Sequence, residues 1–134
     1  MFRFEKLEVW KLANIYCLKV YKITDGFPKS EMFSLTSQLN RAGISIPSNI
    51  AEGSGSSTVK DFCHSLDISI KSTIETVSQL FIALQRGYIT ENTKNELYTE
   101  AETLVKKIQS LKQYLKKPRA TTHELRAGKG IHHV

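Results

Sequence analysis

Apolar residues recur every three or four positions in four successive segments, and this spacing restricts the fold more than any other feature of the chain. A period of about 3.6 residues is typical of amphipathic helices, whereas a half-buried strand would alternate with period two. No stretch shows that alternation strongly enough to be assigned as a strand. The helical segments are placed at about residues 5–25, 30–52, 58–86 and 91–117. Because their connections are short, they predict an all-α fold, an antiparallel up-down-up-down four-helix bundle.

The connections contain residues that end and begin helices. Gly26 is expected to end the first helix, because glycine is common just beyond a helix C-terminus. Thr58 followed by Asp61 has the spacing of a capping box, in which both side chains satisfy N–H groups at a helix start. Thr90 is expected to cap the last helix and Pro118 to stop it.

The stretch from Gly43 to Gly53 carries a proline inside a helical pattern. Pro47 has no N–H and its ring crowds the carbonyl four residues earlier, so we expect the second helix to kink or stop there. Gly53 is expected to cap its C-terminus. Polar side chains able to bond the freed backbone groups are expected to form a structural motif with these two residues. The motif comprises Ser45, Pro47, Ser48, Asn49, Glu52 and Gly53.

Length and composition describe a single domain. The chain has 134 residues, enough to bury a core, and no apolar run as long as a membrane-spanning helix requires. The stretch Met1–Lys6 lacks the apolar region of a signal peptide. Cys17 and Cys63 are the two cysteines, and their positions on apolar stripes favour reduced core thiols. We therefore expect a cytoplasmic protein without a membrane partner.

Positive charge is concentrated towards the C-terminus. The formal net charge is +6, yet eight of the 19 basic residues and only one of the 13 acidic residues, Glu124, follow Val105. This excess predicts RNA or DNA as a partner, bound through phosphate with little sequence preference. The candidate contacts are Lys106, Lys107, Lys112, Lys116, Lys117 and Arg119. A solvated lysine-rich helix end has the same composition, so both interpretations stay open. Residues 118–134 are expected to form a basic flexible tail.

The first helix has more apolar surface than one bundle core needs. Its apolar arc covers more than half of the circumference at 100° per residue. The surplus predicts a contact between copies of the chain, with Val9 and Tyr16 as candidate interface residues. The alternative function is therefore a structural or adaptor oligomer that docks a protein partner and has no nucleic-acid role.

An enzymatic role has little support in the residues. His64 lies between Asp61 and Asp67 at three-residue spacing, so the three side chains share one helix face and could bind a metal or move a proton. No second cluster supplies further ligands, and the Glu-x-x-His pairs of di-iron bundles are absent from the sequence. No His or Cys lies near Ser48 to activate its hydroxyl. We therefore expect a non-enzymatic protein with no metal and no cofactor.

Several motifs resemble those of a known bacterial family. The string Ser-Ile-Pro-Ser-Asn-Ile-Ala-Glu-Gly at residues 45–53, with Phe27-Pro28 and Gly87-Tyr88, is similar to the 23S rRNA-intervening sequence proteins. The similarity extends over about residues 4–115. It implies an antiparallel four-helix bundle that forms a ring-like homopentamer, with no established catalytic activity.

The same resemblance implies kinship with the accessory variability determinant of diversity-generating retroelements, a basic pentamer that binds nucleic acid and a reverse transcriptase. That role does not transfer on fold alone. The chain departs from the family pattern at Ser69 and Lys71, where small residues, commonly Ala and Gly, are usual. Looser or reoriented helix packing is therefore expected at these positions.

Overall fold

The computed structural model describes residues 1–118. Within these residues the chain forms four α-helices and no strand, which confirms the predicted all-α four-helix fold. The helices are α1 (Glu8–Thr24), α2 (Leu35–Ser54), α3 (Val59–Gln85) and α4 (Glu91–Lys116). Two short 3-10 turns, Arg3–Lys6 and Lys29–Glu31, precede α1 and α2. The predicted tail begins at Pro118, and its remaining residues lie outside the described part of the chain.

Neighbouring helices run in opposite directions. Thr24 at the end of α1 donates a 2.8 Å hydrogen bond to Asn40 near the start of α2. Gly53 at the end of α2 packs against the first turns of α3. Lys112 near the end of α4 pairs with Asp67 near the start of α3. Each helix contacts its two neighbours in the order α1, α2, α3, α4 and back to α1, the order of an up-down-up-down bundle.

All four helices contribute to one apolar core. The largest fully buried apolar side chains are Tyr16, Leu39, Ile46, Ile50, Leu66, Leu80, Leu104 and Ile108. Cys17 and Cys63 are buried with free thiols, as the sequence predicts, and burial raises the pKa of the Cys17 thiol. Within residues 1–118, no helix combines the length and hydropathy that crossing a membrane requires.

Thr58 and Thr90 cap α3 and α4 as predicted, but the second bond of the expected capping box, from the Thr58 N–H to the Asp61 carboxylate, is not formed. Thr58 Oγ1 accepts a 3.1 Å hydrogen bond from the backbone N–H of Asp61, and Thr90 Oγ1 accepts one from Thr93. Each bond satisfies an N–H group that has no partner within its own helix. Local sequence therefore sets where these two helices begin.

The start of α2 differs from the prediction of residue 30. Ser34 has φ −123° and ψ −106°, so the α-helix begins only at Leu35. Glu31 lies in the preceding 3-10 turn, where its Oε1 accepts from the Leu35 N–H at 3.4 Å. Its Oε2 accepts a 2.8 Å hydrogen bond from the hydroxyl of Tyr88. Glu31 thereby joins the α1–α2 connection to the α3–α4 connection before α2 begins.

Pro47 does not end α2, and Gly53 does not cap it. The helix continues through the buried Pro47 as far as Ser54, so the expectation of a stop is wrong; a kink stays a prediction. The C-cap residue is Gly55, with φ −89°. Gly53 is instead buried against α3, where its missing side chain permits close approach of the two helices.

Candidate functional sites

Part of the predicted motif forms a polar contact between α2 and α3, which we call the α2–α3 seam and define as Ser45, Asn49, Ser69 and Ser72. Asn49 Nδ2 donates to both the carbonyl and the Oγ of Ser45 at 2.9 Å. Ser72 donates to the same Ser45 Oγ at 2.9 Å. The two remaining polar members of the motif, Ser48 and Glu52, are exposed, and no hydrogen bond joins them to the seam. The seam is a packing feature of the bundle.

At Ser69, where the family resemblance implies looser or reoriented packing, a hydrogen bond joins α2 and α3. Ser69 is fully buried, and its hydroxyl donates a 2.9 Å hydrogen bond to the carbonyl of Ile46, beside Pro47. A hydroxyl at this position therefore adds a bond between the helices. Lys71 is exposed and does not enter the contact. No local sequence pattern predicts this bond, because the donor and acceptor lie on different helices.

Tyr16 belongs to the bundle interior. It is 2% exposed, and its hydroxyl lies 2.8 Å from Thr76 Oγ1. Thr76 donates its own proton to the carbonyl of Thr73, which leaves its oxygen free to accept from Tyr16. Burial, opposed in part by this hydrogen bond, raises the pKa of Tyr16 to about 12. The phenol is therefore neutral at physiological pH.

The two residues predicted at an interface between copies are not available for it. Val9, 5% exposed, and Tyr16 both face the core of their own chain. The exposed apolar surface of α1 lies on the opposite face, where Ile15 is 51% and Leu18 is 61% exposed. The sequence did not show which part of the arc the other helices would cover.

The predicted basic edge of α4 is divided in the structure. Lys107 pairs with Glu8 of α1 at 2.6 Å, and Lys112 pairs with Asp67 of α3. These ion pairs place the two lysines on opposite sides of α4. Lys106 is exposed but ten residues before Lys116, about 15 Å along the helix. Arg119 lies outside the described residues.

Antiparallel packing brings other basic residues to the end of the bundle where α4 finishes. This basic end comprises Arg3, Lys6, Lys60, Lys116 and Lys117, all of them exposed. None of the five forms an ion pair with a carboxylate of residues 1–118. The guanidinium of Arg3 lies 5.1 Å from the centre of the Phe62 ring, which joins the N-terminal turn to α3. Arg3, Lys6 and Lys60 were not predicted from the sequence, because only the fold places them beside the end of α4.

The Asp61, His64 and Asp67 triplet is not assembled as a metal site. Asp61 and His64 are exposed, and the carboxylate of Asp67 is occupied by Lys112. Among residues 1–118 there is no group of three His, Cys, Asp or Glu side chains placed to hold a metal ion.

Comparison with known proteins agrees with this architecture. A solved structure from Bacteroides thetaiotaomicron, described as a protein with unknown function from the S23 ribosomal protein family, is similar with a TM-score of 0.73. The two chains share 22% identity, and the match covers 78% of this chain and 95% of that one, a likeness that shows the fold alone. No curated protein matches the chain. The family model of the 23S rRNA-intervening sequence proteins matches residues 5–110. Because this match spans most of the sequence, the protein belongs to the 23S rRNA-intervening sequence protein family.

Proposed function

We propose that this protein is a non-enzymatic helical protein that binds nucleic acid through its basic end. The observation that carries the proposal is the clustering of five exposed cations, none paired with a carboxylate of residues 1–118. Further along α4 from this end, two carboxylates are already neutralised, Glu8 by Lys107 and Asp67 by Lys112. The carboxylates of Glu5 and Asp61 lie at the basic end but are outnumbered by the five cations, so a phosphate backbone would meet an excess of positive charge there.

The chemistry of this end favours phosphate contacts over base recognition. Lysine and arginine bind phosphate oxygens without reading sequence, and each contact releases condensed counterions. Lys116 and Lys117 also lie at the C-terminus of α4, where positive charge offsets the helix dipole. Part of their charge therefore stabilises α4, while the exposed ammonium groups stay accessible to a ligand. Affinity is expected to fall steeply with salt and to depend little on sequence.

The test is a salt titration of the full chain with single-stranded and double-stranded oligonucleotides, followed by fluorescence anisotropy. A linear decrease of log affinity with log salt supports the proposal, since the slope reports the number of phosphates contacted. Absence of binding, or affinity that salt does not change, contradicts it.

The second candidate function is that of a structural oligomer. Ile15 and Leu18 lie three residues apart on the outer face of α1, more than half exposed. Removing such apolar surface from water stabilises association by about 25 cal/mol per Å². We propose that this face contacts a second copy of the chain, in a homo-oligomer for which the family resemblance suggests five copies. The measurement is the mass of the intact assembly by sedimentation.

A further inference from the structure

An open groove of about 340 Å³ lies between α3 and α4. Aliphatic side chains form most of its floor: Ile74 and Val77 come from α3, and Ala101 and Val105 come from α4. Ile74 is 57% exposed, an unusual fraction for an isoleucine between two helices of a bundle. The groove is therefore an apolar surface on which no element of residues 1–118 packs.

An aromatic pair and a lysine extend the groove at one end. Tyr98 lines the groove and meets Phe81 edge to face, with ring centres 6.3 Å apart. Lys94 Nζ lies 4.8 Å from the centre of the Phe81 ring and 5.6 Å from that of Tyr98. Lys106 lines the other part of the groove. Positive charge thus borders the apolar floor at both ends.

The length of the groove matches that of a short α-helix. From Tyr98 to Gln109 the α4 wall extends about 16 Å, the length of about three helical turns. Grooves of this kind accept the apolar ridge of an amphipathic helix, whose anchors recur every three or four residues.

We propose that the α3–α4 groove binds an amphipathic helix of a protein partner, apolar on the face that enters the groove and acidic along its flanks. The positive charge beside the groove favours an acidic occupant. Lys94 and Lys106 have no ion-pair partner within residues 1–118, and Glu102 is the single carboxylate in the lining. An acidic flank would complement both lysines.

The same charges disfavour the other occupants. The exposed face of α1 carries Lys11 and Lys22 beside its apolar residues, so a second copy presenting that face would bring like charges together. Residues 119–134 contain three basic residues and one acidic residue, and they too would meet the lysines with positive charge. Between the two lysines the floor is aliphatic, so beyond the single pair of Phe81 and Tyr98 it offers nucleic acid no extended stacking surface. The groove would thus bind a protein partner at a surface separate from the basic end.

The test measures how tightly the full chain binds a fluorescein-labelled synthetic helical peptide. The peptide has about 20 residues, with leucine along one face and glutamate beside it. Two further peptides keep the leucines and replace glutamate by lysine, or scramble the sequence. The acidic peptide is expected to bind at least about ten-fold more tightly than the basic one, because the groove contributes both apolar area and charge. Equal binding of all three peptides overturns the proposal.

Matched variants locate the site. Ile74→Ser is expected to weaken binding of the acidic peptide about five-fold or more, whereas Ile44→Ser, a 47% exposed isoleucine on α2, leaves it unchanged. Lys106→Glu is expected to weaken binding, whereas Lys71→Glu, on the exposed face of α3, is not. Circular dichroism of each variant checks that it folds. Loss of binding in a folded Ile74→Ser variant alone, and not in the control variant, supports the proposal.

Three other outcomes overturn it. Unchanged peptide affinity in both groove variants places the peptide elsewhere. Dissociation of an oligomer by Ile74→Ser identifies a second copy as the occupant, and loss of oligonucleotide affinity in that variant identifies nucleic acid. Lys116→Gln and Lys117→Gln test the nucleic-acid proposal separately from the groove proposal. They are expected to weaken oligonucleotide binding at the basic end and to leave peptide binding in the groove unchanged.

Discussion

Gly53 of α2 lies so close to Ser65 of α3 that a Cβ atom added to the glycine would be 2.6 Å from the Cβ of Ser65. It would also lie 3.0 Å from Cδ1 of Phe62. Carbon atoms that are not bonded to each other do not approach this closely in ordinary packing. The contact sets the distance between α2 and α3, at the point where a C-terminal cap was expected.

Gly53→Ala is therefore expected to destabilise the bundle. Alanine is the better helix former by about 1 kcal/mol, but forcing the helices apart costs about 1–3 kcal/mol and should outweigh that gain. Urea unfolding followed by circular dichroism measures the change. Gly55→Ala is the control, because its Cβ would have nothing nearer than a backbone oxygen at 3.5 Å. A Gly53→Ala protein as stable as the wild type would show that the helices separate without cost.

The buried phenol of Tyr16 makes stability depend on alkaline pH. Its pKa is about 12 in the folded chain, above the ordinary tyrosine value of 10.0, so the unfolded chain loses the proton first as pH rises. The contribution is complete below pH 10 and is lost progressively as pH rises towards 12. By pH 11 the wild type is expected to lose about 1 kcal/mol more than Tyr16→Phe, measured by urea unfolding at pH 9 and pH 11.

The control for Tyr16 is another tyrosine. Tyr21, on the same helix, is 37% exposed, and Tyr21→Phe is expected to follow the wild-type loss between the two pH values. At neutral pH, Tyr16→Phe itself costs about 1 kcal/mol, since Thr76 Oγ1 loses a buried donor. An identical pH response in wild type and Tyr16→Phe would contradict the raised pKa.

Charge removal at the basic end should reduce nucleic-acid binding. Replacing Lys60, Lys116 and Lys117 by glutamine removes three phosphate contacts, so the slope of log affinity against log salt is expected to fall by about 2–3. The matched control replaces Lys22, Lys29 and Lys71, three exposed lysines away from that end. Equal loss in both triple variants would show that net charge, and not this end, determines binding.

Self-association should depend on the outer face of α1. Ile15→Ser with Leu18→Ser is expected to lower the assembly mass in sedimentation, because two residues each more than half exposed lose their apolar surface. Ile82→Ser, a 45% exposed isoleucine on α3, is the control. Because Ile15 and Leu18 are already solvated in the monomer, the helix content of the double variant should equal that of the wild type. An oligomer that survives the double change would exclude this face.

Helix type and helix ends were largely predictable from sequence because they depend on local chemistry. The Thr58 and Thr90 caps are confirmed, since each side chain bonds an N–H three residues away. The predicted start of α2 was about five residues too early. The turn before α2 includes a hydrogen bond between Glu31 and Tyr88, which are too far apart in sequence for a local pattern to reveal it. The basic site was predictable only in part, since Lys107 and Lys112 are occupied by carboxylates of other helices.

The sequence by itself determined that this chain forms four amphipathic helices, because apolar period and capping are properties of neighbouring residues. Only the tertiary structure decided that Tyr16 faces the core and Ile15 faces solvent, and that Gly53 is a packing contact. It also decided which lysines lie free at one end. The apolar arc of α1 is wider than one core requires, so the helices that pack against α1 determine which face is buried. Those contacts join residues that are far apart in the chain.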